Sequence, residues 1–240
     1  YRDWSSDVCS SDLGCQLTLD AAEIVLKNIE SVPMFDGAKT ISYDDGVADG
    51  RINYIPQSVI DSYLDEVSKQ GIHTDLVKSS GLKVVYTPLN GTGNKPVRAI
   101  LKKIGVEDVT VVPEQEYPDG NFPTCPFPNP EIKEALAKGL ELCNVVKPDL
   151  LLATDPDCDR VGIAVPSDNG YELFTGNEVG AMLLEYICSE RTKMGTMPAD
   201  PVAVKTIVTT DIAAKIAKEY GVKLIEVLTG FKFIGEQIGF

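Results

Sequence analysis

Apolar positions in the first half of the chain follow two different spacings. From residue 56 to Gly71 they recur every three or four positions, which predicts an amphipathic helix that ends at the glycine. A short apolar run at 83–87 predicts a buried strand, a second helical pattern ends at Gly105, and residues 109–112 predict another strand. A strand, a helix and a strand at this spacing are typical of a parallel βαβ unit.

The second half of the chain repeats this alternation. Residues 131–144 predict a helix, and the apolar run that follows Asp149 predicts a strand. Thr175 and Glu178 have the spacing of a capping box, which predicts the start of another helix. Residues 202–228 form a further strand, helix and strand pattern, so the sequence predicts tandem α/β domains.

The N-terminal part of the chain is less regular. Asp20 and Glu23 predict a capped helix to about Glu30, and the turn residues between 31 and 54 predict short strands joined by turns. Residues 1–13 follow neither spacing, and they lack the basic segment and apolar core of a signal peptide. They resemble a translated sequencing adapter, so we interpret them as a non-native leader.

Composition narrows the classes of function. The 240 residues carry a net charge of −14, which argues against nucleic acid as the main partner, because phosphate backbones bind basic patches. No apolar run approaches the roughly 20 residues that span a bilayer, so no membrane partner is expected. The six cysteines lack the paired spacing of zinc or redox sites, which favours the cytoplasm. The single histidine excludes a catalytic dyad of two histidines within this chain.

An acidic loop is the strongest chemical signal in the sequence. Asp155, Asp157 and Asp159 occupy alternate positions between two apolar runs, 150–153 and 161–165. Alternate residues of an extended segment point the same way, so the three carboxylates are expected to converge. Converging carboxylates repel one another unless a cation lies between them, and Mg²⁺ prefers such oxygen ligands. Arg160 adds a guanidinium group that is suited to binding phosphate.

The acidic loop has three other interpretations. A solvated turn remains open on the residues alone. A calcium-binding EF-hand would need glycine at its sixth loop position and glutamate at its twelfth, where this chain has Arg160 and Pro166. A phosphatase of the haloacid dehalogenase type would need residues like Gly-Thr after its nucleophilic aspartate, and Arg160-Val161 do not fit.

A glycine-bearing turn at 90–93 follows the first predicted strand and precedes a helix. Its backbone amides could bind phosphate, as amides at helix starts often do. The turn lacks the Lys-Ser/Thr ending of a nucleotide-binding P-loop and the third glycine of a dinucleotide site. A close-packed turn without a ligand is the other interpretation.

The string T-D-P-D-C-D-R-V-G at 154–162 resembles the metal-binding loop of the α-D-phosphohexomutases, the phosphoglucomutase and phosphomannomutase superfamily. Three further segments are similar to that family in the order the family uses, with the bacterial phosphoglucomutase branch closest. They are the strand and glycine turn at 84–93, the proline-rich segment at 118–131, and the Leu-Thr-Gly-Phe-Lys-Phe loop at 228–233. The family often has histidine at the position of Asn90, which places any role of that side chain in doubt.

The resemblance implies a fold and a division of the chain. The expected fold class is α/β, with tandem three-layer α/β domains whose sheets are mixed and mostly parallel. Residues 14–52 would be the C-terminal tail of the family's domain I, 53–170 a complete domain II with the metal loop, and 171–240 a truncated domain III.

The resemblance also implies a function. A magnesium-dependent enzyme of this family interconverts glucose 1-phosphate and glucose 6-phosphate through a phosphoserine enzyme and a hexose bisphosphate. Asp155, Asp157 and Asp159 would hold Mg²⁺. Arg160, Thr229 and Lys232 would contact the hexose phosphate.

The chain lacks the family's Thr-Ala-Ser-His-Asn-Pro-like loop, so no catalytic residue is assigned and these 240 residues are expected to be inactive alone. It also lacks the family's sugar-specificity loop. Two alternatives therefore stay open. One is a phosphomannomutase or another sugar-phosphate mutase, and the other is an inactive fragment that binds metal or phosphate.

Overall fold

The computed structural model describes residues 19–33, 35–37 and 39–238. The leader predicted at 1–13 lies outside the described residues. The chain divides into two compact units, one of which runs from Ile55 to Glu190, while the other combines the residues up to Tyr54 with those from Arg191 onward. Within the described ranges, no helix is both long enough and apolar enough to cross a membrane.

Helices and strands alternate along most of the described chain. The helices are α1 (Leu19–Glu30), α2 (Tyr43–Ala48), α3 (Gln57–Ser68), α4 (Thr74–Ser80), α5 (Asn94–Ile104), α6 (Ala137–Val146), α7 (Gly176–Lys193), α8 (Ile212–Glu219) and α9 (Phe231–Ile238). The strands are β1 (Lys83–Thr87), β2 (Asp108–Val111), β3 (Leu150–Thr154), β4 (Val161–Ser167), β5 (Gly170–Phe174), β6 (Val202–Thr206) and β7 (Lys223–Val227).

The unit from Ile55 to Glu190 contains a five-stranded mixed sheet in the order β2-β1-β3-β4-β5. Strands β2, β1 and β3 are parallel, and β4 and β5 continue the sheet antiparallel. The predicted βαβ unit is therefore present as β1, α5 and β2. In the other unit, β6 and β7 form a parallel pair connected by α8, as the second predicted unit requires.

Two apolar cores cover opposite faces of the five-stranded sheet, which produces three layers. Val85 packs on one face with Cys143 of α6, and Val84 and Tyr86 pack on the other face with Leu101 of α5. This follows from the period of two along β1, because neighbouring side chains of a strand point to opposite faces. Each buried side chain of this size contributes about 1.5–3 kcal/mol to folding.

Two of the predicted elements differ from the structure. The segment 31–54 contains no strand among its described residues; instead Asp44 and Asp45 lie in the first turn of α2, where Ser42 accepts a hydrogen bond from the Asp45 amide at 3.1 Å. The helix predicted from Glu131 begins only at Ala137. The Glu131 amide donates to the Asn129 side chain, and the Glu131 carboxylate accepts from the Gly176 amide. These contacts hold Glu131 outside the helix.

Candidate metal and substrate sites

The acidic loop connects the central strand β3 to its neighbour β4, at the carboxyl end of β3. It follows Thr154, the last residue of β3, and returns to Val161, which pairs with Thr154 in the antiparallel ladder. Strand β1 lies parallel to β3 on the other side, with Thr87 opposite Ala153. The loop and the turn after β1 therefore share the carboxyl edge of the sheet, where open α/β sheets bind their ligands.

The three aspartates of the loop converge. Asp155, Asp157 and Asp159 each present a carboxylate oxygen within 4.8 Å of the others. Asp155 is fully buried, whereas the other two are exposed to solvent. An all-oxygen donor set of this kind matches the preference of Mg²⁺ and Ca²⁺.

Electrostatics make this site favourable for a cation. Burial acts to raise the pKa of Asp155, but hydrogen bonds with Asp157 and Arg160 outweigh it, so its pKa lies below the usual value. Partial desolvation and the charges of Asp155 and Asp157 raise the pKa of Asp159 to about 6. Such repulsion among neighbouring carboxylates is relieved when a divalent ion binds between them.

Arg160 holds the buried carboxylate in place. Its backbone amide donates to Asp155 Oδ1 and its Nε donates to Asp155 Oδ2, both at 2.9 Å. The Arg160 side chain is still 53% exposed, so it is accessible to a ligand while it pairs with Asp155. The structure thus brings four of the six predicted site residues together.

Cys158 occupies the centre of the loop in a left-handed backbone conformation, with φ of 65°. Burial raises the pKa of its thiol, a hydrogen bond with Thr154 opposes this, and the three carboxylates raise it further. A thiol with a raised pKa is a poor nucleophile at neutral pH. These surroundings favour a packing role for Cys158 over a nucleophilic one.

The turn after β1 packs directly against the acidic loop. The Thr92 amide donates to the Pro156 carbonyl at 2.8 Å, and the Thr92 hydroxyl donates to the same oxygen at 3.1 Å. The amides of Asn90 and Gly91 donate to carbonyl groups of Gln115 and Pro88. Because the amides of Asn90, Gly91 and Thr92 already have protein acceptors, these contacts favour the close-packed interpretation of the turn.

Asn90 anchors this turn. Its backbone φ is 57°, a left-handed value that asparagine tolerates better than most residues. Its side-chain amide donates to the carbonyl groups of Glu114, at 3.3 Å, and Tyr117, at 2.9 Å. In this chain the side chain at position 90 therefore joins the turn to residues 114–117, which precede the proline-rich segment.

Thr229 and Lys232, the remaining predicted site residues, belong to the other compact unit. Thr229 is exposed just after β7, and Lys232 lies in the first turn of α9. The Lys232 ammonium is 5.4 Å from the centre of the Phe233 ring. Both residues follow the carboxyl end of β7.

Lys205 is a buried charged residue of the same unit that the sequence reasoning missed. It lies on β6 with 7% of its side chain exposed, and its Nζ is 2.5 Å from Glu226 Oε2 and 3.2 Å from the Thr209 carbonyl oxygen. The pairing with Glu226 raises the pKa of Lys205, so it carries a positive charge at neutral pH. The sequence does contain a signal for this ion pair, since a lysine lies inside the apolar run at 202–208. A buried lysine is rare without a negatively charged partner.

Two neighbouring regions of the chain match consecutive domains of one protein family. Phosphoglucomutase/phosphomannomutase alpha/beta/alpha domain II matches residues 61–169, and domain III of the same family matches residues 175–239. The chain belongs to the phosphoglucomutase/phosphomannomutase family. This confirms the resemblance drawn from the acidic loop and the three further segments.

Curated relatives of this family are phosphoglucomutases. The enzyme of Staphylococcus aureus strain MRSA252 is 34% identical over 235 residues, which cover 96% of this chain and 40% of the relative. That of Staphylococcus saprophyticus is 33% identical over 229 residues, which cover 95% of this chain and 40% of the relative. The chain thus spans about two fifths of the length of these relatives.

Solved structures confirm the fold class. A candidate phosphomannomutase from Thermus thermophilus matches 75% of this chain and 38% of its own, with a TM-score of 0.57 and 23% identity. A phosphoglucomutase/phosphomannomutase family protein from Burkholderia thailandensis matches 81% of this chain and 40% of its own, with a TM-score of 0.58 and 19% identity. At these identities the comparison supports the α/β fold alone.

Proposed function

We propose that this chain carries the metal loop of a magnesium-dependent phosphohexomutase that interconverts glucose 1-phosphate and glucose 6-phosphate. The observation that carries the proposal is the convergence of three carboxylates within 4.8 Å, in a loop that lies inside the match to domain II. The phosphoglucomutase names of the relatives favour glucose over mannose as the sugar.

The loop residues have separate roles in this proposal. Asp155, Asp157 and Asp159 would hold Mg²⁺, which supplies neutralisation of the charge on a phosphoryl group during transfer. Arg160 orients Asp155 through the two hydrogen bonds described above and is accessible to a phosphate oxygen. Thr229 and Lys232 would contact the hexose phosphate and the hexose bisphosphate.

The wider architecture and location are also proposals. We assign residues 14–52 to the tail of domain I, 53–170 to domain II and 171–240 to domain III, while β5 continues the domain II sheet to Phe174, four residues past this boundary. The phosphoserine of the family mechanism is not among the residues assigned, because its loop motif is absent from this sequence. Among the described cysteines, Cys125, Cys143 and Cys158 form no disulfide bond, which supports a cytoplasmic location.

Sugar-phosphate binding tests the proposal. Saturation-transfer NMR on the 240-residue chain with Mg²⁺ is expected to detect α-glucose 1-phosphate and α-mannose 1-phosphate alike, because the sugar-specificity loop is absent from this sequence, and to detect no contact with glucose. Lys232→Gln should weaken glucose 1-phosphate binding about tenfold, since it removes a charged partner of the phosphate. Lys218→Gln, which changes an exposed lysine of α8, should leave binding unchanged.

The outcomes separate the alternatives. A clear preference for one of the two sugar phosphates would place sugar recognition in the residues present, and its direction would separate a phosphoglucomutase from a phosphomannomutase. If Mg²⁺ binds but no sugar phosphate does, the inactive metal-binding interpretation gains and the mutase assignment of these residues loses its support.

A further inference from the structure

The acidic loop adopts a conformation that its surroundings must enforce. Cys158 has a φ of 65°, a left-handed conformation that is unfavourable for a residue with a Cβ atom. The hydrogen bond from the Cys158 amide to the Asp155 carbonyl, at 3.0 Å, closes the turn from within. Contacts from outside the loop must then fix where this turn sits relative to the sheet.

Tyr86 of β1 provides such a contact. Its hydroxyl oxygen lies 2.8 Å from Thr154 Oγ1, and Thr154 in turn bonds the Cys158 thiol. Tyr86 is completely buried and Thr154 is 6% exposed, so no solvent competes for these bonds. Burial raises the pKa of Tyr86 to about 12, and the phenol remains protonated at neutral pH.

Gly93 packs against the side chains of Tyr86, Thr154 and Cys158 so closely that no Cβ atom would fit between them. A Cβ at this position would lie 2.6 Å from Thr154 Oγ1, 2.6 Å from the Tyr86 hydroxyl and 2.9 Å from Cys158 Sγ. Tight packing of this kind locks side-chain rotamers, which is what a preorganised binding site requires.

We propose that Tyr86 is a positioning residue for the metal loop. Through Thr154 it fixes the end of β3, where Asp155 begins, and the left-handed turn at Cys158, so that the three carboxylates converge before a metal ion arrives. Tyr86 itself touches neither metal nor substrate. The inference rests on the proposed function, because it assumes that the loop binds a divalent cation.

Removal of one hydroxyl group tests this role. Tyr86→Phe in the 240-residue chain should raise the dissociation constant for Mn²⁺ about tenfold, as measured by electron paramagnetic resonance of the free ion. Tyr171→Phe is the matched control, since it removes a hydroxyl that donates to the Pro148 carbonyl at 2.8 Å elsewhere in the same unit. Its Mn²⁺ affinity should stay within about twofold of wild type, whatever its effect on urea unfolding.

A second pair of variants tests the contact between the Tyr86 and Thr154 hydroxyl groups from the side of Thr154. This pair also serves as the test if Tyr86→Phe does not fold. Thr154→Val should weaken Mn²⁺ binding at least as much as Tyr86→Phe, and Thr154→Ser, which keeps the hydroxyl, should restore it. The effects of Tyr86→Phe and Thr154→Val should not add in the double variant.

Each contrary result has a distinct meaning. Equal affinity in wild type, Tyr86→Phe and Thr154→Val would overturn the positioning role alone, and so would full additivity in the double variant. Absence of Mn²⁺ binding in wild type would overturn the proposed metal site and this inference with it.

Discussion

Asp157→Asn is expected to abolish saturable Mn²⁺ binding while it stabilises the metal-free protein. The three loop carboxylates lie within 4.8 Å of one another, and partial desolvation together with the charges of Asp155 and Asp157 raises the pKa of Asp159. Removal of one exposed charge should relieve the repulsion among these carboxylates by up to about 1 kcal/mol, because water screens such pairs. Paramagnetic resonance of Mn²⁺ measures the binding, and urea unfolding without metal measures the stability.

Asp168→Asn is the matched control for this prediction. Asp168 is exposed in the turn between β4 and β5, so the variant changes net charge by the same amount away from the loop. It should bind Mn²⁺ like wild type. The account would be contradicted by equal Mn²⁺ binding in both variants, or by an Asp157→Asn protein that is less stable than wild type without metal.

Gly91→Ala is expected to destabilise the unit from Ile55 to Glu190 by about 1–3 kcal/mol and to weaken metal binding at least tenfold. A Cβ at this position would overlap the Pro156 Cα and lie 2.5 Å from the Pro156 carbonyl oxygen. These are backbone atoms of the acidic loop, so the clash must displace the loop or the turn. Urea unfolding and Mn²⁺ titration measure the two effects.

Gly120→Ala controls for the effect of alanine itself. No atom lies within 4 Å of a Cβ at Gly120, and its φ is not left-handed. This variant should be neutral, or slightly more stable because alanine restricts the unfolded chain. A Gly91→Ala protein that folds and binds metal as well as Gly120→Ala would show that the turn does not support the loop.

Local signals in the sequence were sufficient for the loop and for several elements. The acidic residues lie between two apolar runs, which is enough to predict a loop between two strands. The carboxylates converge as predicted, but through a tight turn closed by the Cys158 amide and not through an extended segment. The capping box at the start of α7 is confirmed: the Thr175 amide donates to Glu178 at 2.8 Å, and the Glu178 amide donates to the Thr175 hydroxyl at 3.3 Å.

Contacts between residues far apart in the sequence could not be predicted from local patterns. Tyr86 and Thr154 are 68 positions apart, and only the parallel pairing of β1 with β3 brings them together. The same pairing places Thr92 on Pro156, so the supporting role of the glycine turn was missed. At Glu131 a local pattern predicted a helix that the structure does not have. The contact of Glu131 with Gly176, 45 positions away, overrides that pattern.

The most direct test of the account is to locate a paramagnetic ion on the wild-type chain. Substoichiometric Mn²⁺ added to the ¹⁵N-labelled protein should first broaden the amide signals of Asp155, of residues 157–160 and of Thr92, whose amide bonds the loop at the Pro156 carbonyl. Mg²⁺ should restore those signals by competition. Broadening centred on another acidic segment, such as Asp44 and Asp45, would contradict the assignment of the metal site.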